Sequence, residues 1–200
     1  MLEIDVSDSL QKAETLLESM PGAAEKALQT SIRKSIRGAK KDAVQKVKER
    51  YTIKPSYVTR TMKVTYRGLI ASLVSKGPVN DLAYFRHNPG NPPKHRPPTG
   101  VYTYAEVVKG QGGTIAHAFI ARMKSGHVGV FQRAGHGSSN ASLPIEKISG
   151  PSTPQMLGTP TVAEFIERKA QERMAENLDH EINAFLMGCL LYTSPSPRDS

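Results

Sequence analysis

Between Ala24 and Val47 small and apolar side chains return every three or four positions: Ala24, Ala27, Leu28, Ser31, Ile32, Ser35, Ile36, Ala39, Ala43 and Val47. That is the helix period, and the spacing predicts one long helix from Ala23 to about Arg50. The stripe is narrow and rich in alanine and serine, which suits close packing against a sheet or a second helix. The opposite face carries Lys26, Arg33, Lys34, Arg37, Lys40, Lys41, Lys46 and Lys48. A chain built around such an element must supply a surface to cover the stripe, and the remaining sequence offers both helix and sheet.

A shorter helix is expected from Asp8 to Met20, with Ser7 or Asp8 as its cap and Leu10, Ala13, Leu16 and Leu17 at helical spacing. Pro21-Gly22 ends it. From Tyr51 the texture changes. Lys54-Pro55-Ser56 restarts the chain, with a helical turn over Tyr57 to Thr61, and Met62 to Arg67 then alternates like a half-buried strand. Leu69 to Ser75 and, more weakly, Val79 to Arg86 read as further strands. Asn88 to Gly100 holds five prolines in thirteen residues. It cannot sit inside a sheet, because each proline removes a ladder donor. It is an exposed loop or arm, either a floppy insertion or a docking segment.

Val101 to Val108 resumes the β pattern, and the cluster Gly110-Gln-Gly-Gly113 reads as a turn. Ile115 to Met123 and Val128 to Arg133 flank Lys124-Ser-Gly-His127 as a hairpin whose glycine supplies a positive φ. The interior is the expected place for Phe119, Ile120, Val130 and Phe131. Pro144 to Ile148 adds a last strand. A final helix over residues 161–187 buries Val162, Phe165, Ile166, Ala170, Met174, Leu178, Ile182 and Phe185, with Lys169 and Arg173 at its edge. The class is α+β: N-terminal helices, a central antiparallel β-sheet with a Pro-rich loop, and a C-terminal helix. The expected organisation is a single domain over 1–188, with helices in 8–50, sheet in 62–148 and helix in 161–187.

The 200 residues suffice for one domain with a modest core. No stretch approaches the roughly 18 apolar residues of a membrane span, so no membrane partner is expected. The opening MLEIDVSDSL lacks the layout of a signal peptide. One cysteine, Cys189, excludes an intramolecular disulfide and a multi-thiolate zinc site. Cys189 to Ser200 reads like the in-frame translation of a sequencing adapter; a natural Pro/Ser-rich tail is the alternative.

Charge is unevenly spread. Residues 51–150 carry thirteen basic side chains but only three acidic ones, Asp81, Glu106 and Glu146, while the whole chain stands at +9. With so few carboxylates there, a metal site or acid–base pair is hard to build around His87, His95, His127 or His136. His180-Glu181 reads as a solvated pair. Glycine-rich phosphate loops, GxSxG and HExxH are absent from the sequence. No cofactor, metal or catalytic residue is expected, and the chain is read as a non-enzyme. A basic surface with interleaved tyrosines also suits nucleic acid, leaving a DNA-binding protein without catalytic activity as the alternative.

Four pieces in order carry a family resemblance: His117-Ala-Phe-Ile-Ala-Arg122, Gly129-Val-Phe-Gln-Arg133, Pro144-Ile-Glu146 and Gly150-Pro-Ser-Thr-Pro-Gln-Met156. The basic helix leading into Arg50-Tyr51-Thr-Ile-Lys54 adds to them. The set resembles the minor tail protein Z family of bacteriophages and prophages. The resemblance implies a tail completion protein of the virion, acting at the head-proximal end of the tail in head–tail joining and DNA-end positioning. It would be met in the host cytoplasm during assembly. Implied partners are other phage tail or neck proteins, further copies in a ring-like oligomer, and phage DNA. The candidate contacts for partners or oligomer are Arg33, Arg37, Lys40, Lys41, His95, Arg96, Arg122 and Arg133.

Overall fold

The computed structural model describes residues 2–4, 7–20, 22–95, 102–133 and 144–192. Arg96 and the end of the proline segment (96–100), Val101, His136 and residues 193–200 lie outside the described residues, as does the side chain of Cys189. In order, the elements are β1 (Leu2–Ile4), α1 (Ser7–Leu16), α2 (Ala23–Arg50), α3 (Pro55–Thr59), β2 (Met62–Arg67) and β3 (Ile70–Ser75). Next come β4 (Asn80–Asp81), a 3-10 turn (Leu82–Tyr84), β5 (Arg86–Asn88), β6 (Thr103–Val108) and β7 (Gln111–Ile115). The chain continues through β8 (Ala118–Arg122), β9 (Val128–Arg133), β10 (Ile145–Lys147), β11 (Ser149–Gly150), α4 (Thr153–Leu157) and α5 (Pro160–Tyr192). The class is α+β with antiparallel sheets. Two compact units form: one draws on the chain up to Ala43, Met62–Ser75 and the chain from Ala163; the other on Val44–Thr61 and Lys76–Val162.

In the first unit the stripe on α2 is buried from Ala27 to Ala43, as its spacing requires, while Ala24 is half-buried. Leu28, Ile32 and Ile36 are sealed from solvent, each worth about 1.5–3 kcal/mol of apolar burial. The small residues between them let α5 come close. Ser35 Oγ donates to the carbonyl of Arg173 and accepts from Asn177 Nδ2, at 3.1 and 2.9 Å. Ser31 Oγ donates to its own helix at Ala27. The pairs Asp42–Arg173, Ser35–Asn177 and Lys34–Glu181 show that α5 runs antiparallel to α2. On α5, Ile166, Ala170, Met174, Leu178 and Ile182 are buried while Phe165 and Phe185 are only half-buried.

The sheet of this unit is ordered β1-β3-β2, all antiparallel. Arg67 faces Ile70 across a two-residue turn, where Gly68 takes φ +58°, a conformation glycine adopts without strain. Ala71, Leu73 and Met62 point to the core; Lys63, Thr65, Arg67 and Ile70 point out. That is the alternation the sequence predicted, except that Tyr66, on the same face as Met62, is exposed.

The second unit holds three small sheets, ordered β5-β6-β7, β10-β9-β8 and β11-β4. Here three expectations fail. Val79 to Arg86 is not one strand, because Asp81 accepts the N–H of Ala83 at 3.0 Å and winds the chain into the 3-10 turn. The glycine cluster is not all turn: Gly110, at φ +77°, turns the chain, whereas Gly112 and Gly113 belong to β7. Gly112 is needed because the Tyr104 phenol of β6 occupies the place of a Cβ there. Ile115 to Met123 breaks at Ala116-His117, where His117 takes φ +59° and sends β8 into a different sheet from β7.

The hairpin between β8 and β9 forms in the expected register, with Phe119 opposite Phe131 and Ile120 opposite Val130. Ile120, Val130 and Phe131 are buried. Phe119 is not: it is half-buried, with the Arg133 guanidinium 5.3 Å from its ring. A short helix that the periodicity did not suggest, α4, begins at a capping box. Ser152 Oγ accepts the N–H of Gln155, and the Gln155 side chain accepts the N–H of Ser152.

Candidate interaction surface

Of the candidate contacts, Arg33, Arg37, Lys40 and Lys41 belong to the first unit and His95, Arg122 and Arg133 to the second. Arg33, Arg37 and Lys41 are exposed and follow one another at four-residue steps along α2 in the first unit. Arg33 lies over the ring of Tyr66, on the outermost strand β2, with its guanidinium carbon 5.9 Å from the centroid. Lys40 differs from its neighbours. It is half-buried, and its ammonium donates to the Met62 carbonyl at 2.9 Å, covering an edge group of β2.

Three other cations on these helices are paired. Lys34 pairs with Glu181, Lys12 with Asp179, and Arg173 with Asp42. The Asp42 hydrogen bond raises the Arg173 pKa above its ordinary value, against a smaller opposing effect of burial. On the exposed surface of α5, Lys169 and Arg168 both bind Glu172 and lower its pKa, the Lys169 hydrogen bond being the largest cause. The expected pairing of His180 with Glu181 gives way to Lys34, which reaches Glu181 from the facing helix.

In the second unit Arg122 and Arg133 sit at opposite ends of the β8–β9 ladder, Arg122 level with Val128 and Arg133 level with Ile145 of β10. They do not form one site. Arg122 donates to the Gly126 carbonyl of its own hairpin turn at 3.3 Å. His95 is exposed.

Two clusters of this unit escaped the sequence reading. Asp81 is 2% exposed, yet its Oδ2 meets His127 Nε2 at 2.7 Å and lies 3.9 Å from Lys147 Nζ. It thus joins β4, the β8–β9 turn and β10 through one carboxylate. The second cluster is aromatic: Tyr57 and Tyr84 stack at 3.9 Å and 9°, with the Arg60 guanidinium 4.5 and 5.2 Å from the two ring centres. The scarcity of acids between 51 and 150 was the available clue to the first. Two of those three acids are buried, Asp81 as above and Glu106 between Arg86 and the N–H of Gly110. The central region therefore presents its positive charge largely unopposed.

These arrangements suit docking through charge and aromatic area. Among the described residues no group of three or more His, Cys, Asp or Glu side chains gathers as metal ligands, and no helix is long and apolar enough to cross a membrane.

Comparison with known proteins agrees with a structural role. The family model of prophage minor tail protein Z (GPZ) matches residues 9–190. No curated protein and no solved structure matches the chain. Matched across both units in this way, the chain belongs to the prophage minor tail protein Z family and is a structural protein of the phage tail.

Proposed function

We propose that the protein completes the tail: it acts at the head-proximal end, helps the tail join the head and sets the position of the DNA end. The family match over residues 9–190 is the observation that carries this reading. The exposed cations of α2 support it physically, since a completing subunit must dock on assembled protein surfaces. Its partners are then tail or neck proteins, further copies of itself in a ring, and the DNA end. It works in the host cytoplasm during assembly and remains in the virion.

Deleting the gene in a phage that carries it tests the proposal. Electron microscopy and infectious titre are read with and without the chain supplied in trans. Heads and tails that form but fail to join, and that are rescued by the chain, are the expected result. Unchanged particles and titre would overturn it. The charge of the central region favours a second reading, a basic DNA-binding protein without catalytic activity. That reading requires affinity for duplex DNA that falls steeply with salt.

A further inference from the structure

On the facing surfaces of α1, α2 and α5, Lys12, Lys34 and Arg173 each meet a carboxylate. The line Arg33, Arg37, Lys41 is set apart by placing three exposed cations at four-residue steps on one helix. Among the described residues, no carboxylate forms an ion pair with any of the three. Like charges four residues apart on a helix repel, so this line opposes folding. Each step is about 6 Å of helix rise. Beside the line stands Tyr66, 41% exposed and already carrying Arg33 on its ring.

We infer that this line docks a helix of a protein partner whose Asp or Glu side chains recur at i, i+4 and i+8. Such carboxylates repeat at the same ~6 Å, so three ion pairs close in one register. The two arginines take carboxylates in forked pairs, and Tyr66 supplies apolar area beside them, the residue types that dominate protein interfaces. Duplex DNA matches less well. Affinity for a duplex grows with the number of phosphates neutralised, and the line offers three cations. The inference deepens the docking role proposed above and rests on it only for where the acidic helix comes from.

The test uses the full chain and labelled synthetic peptides, read by fluorescence anisotropy at physiological ionic strength. One helical peptide carries Glu at i, i+4 and i+8; another has the same composition with the spacing scrambled; a mixed-sequence DNA duplex is the third probe. The registered peptide is expected to bind at least about tenfold tighter than the scrambled one. The variant Arg33→Gln/Arg37→Gln/Lys41→Gln should lose that preference. Lys109→Gln, an exposed cation of the other unit, should keep it. Removing like-charge repulsion should leave the thermal midpoint of the triple variant no lower than the parent's, so that a loss is not misfolding. Equal binding of the two peptides, or a preference that survives the triple variant, overturns the inference. So does tighter binding of the duplex than of the registered peptide. No phage is involved, so this result and the complementation result fail independently.

Discussion

Arg173 lays its guanidinium across Asp42 in a forked pair, Nε to Oδ2 at 2.5 Å and Nη2 to Oδ1 at 2.9 Å. The approach depends on Gly38, where a Cβ would stand 2.7 Å from Arg173 Cδ. The glycine in the middle of α2 is therefore not a fault in the helix but the space through which α5 reaches Asp42.

That relationship predicts a sign reversal. Alanine is better than glycine in a helix by about 1 kcal/mol. In the parent, Gly38→Ala displaces Arg173 and loses the forked pair, worth about 1 kcal/mol for a partly exposed pair. Urea midpoints should show Gly38→Ala neutral or destabilising in the parent, and stabilising by about 1 kcal/mol in the Arg173→Ala background. Equal stabilisation in both backgrounds would show that the pair does not constrain the glycine.

Glu172 should contribute to stability only while it is ionised. Its folded pKa lies below the ordinary 4.5, chiefly through the Lys169 hydrogen bond. A lowered carboxylate pKa adds stability above the unfolded value, and that stability is lost as pH falls through the folded value. Thermal midpoints of the parent and Glu172→Gln should differ slightly at pH 7, parent higher, and converge as the pH drops below 4.5. A gap that persists or widens in acid contradicts the assignment.

Asp81 and His127 should be energetically coupled. Asp81→Ala removes the cap of the 3-10 turn and the partner of His127 together, for about 2–3 kcal/mol. His127→Ala leaves a buried carboxylate with a weaker set of donors and should cost about 1–2 kcal/mol. In an Asp81→Asn background the same histidine change should cost clearly less. Additive losses in the double variant would show that the two side chains do not act as a pair.

Gly112→Ala tests the β6–β7 contact. The new methyl group meets the Tyr104 phenol and crowds the Glu106 side chain. Overpacking of this kind costs about 1–3 kcal/mol. Gly113→Ala, whose Cβ would meet open space, should cost far less. Equal losses at the two positions would mean that strand conformation, not the tyrosine, selects glycine.

Local pattern carried much of this fold. Nine of the ten positions of the α2 stripe, the start of β2, the hairpin centred on Gly126 and most of the buried side of α5 follow from periods of 3.6 and 2 that any partner surface would satisfy. The bounds of α2 fell where expected, Ala23 to Arg50. The family was legible as well, through four short segments read in order, and the family match covers all of them.

Other features depended on residues far apart in sequence. Val79 to Arg86 carries enough apolar residues for a strand, but the Asp81 side chain binds its own backbone two residues on and turns the chain. Gly112 reads as a turn residue until Tyr104 is seen lying over it. Asp81 finds His127 forty-six positions away, and Lys34 rather than His180 finds Glu181.

The same division holds for the candidate surface. The sequence by itself determined that one helix carries a basic face, since side-chain direction on a helix follows from spacing alone. Only the tertiary structure decided which of those cations are spent on partners inside the chain, Lys34 on Glu181 and Lys40 on a strand carbonyl, and which, Arg33, Arg37 and Lys41, meet no carboxylate among the described residues. The reason is physical: periodicity fixes where a charge points, but whether it meets a counter-charge depends on which element the fold brings opposite it.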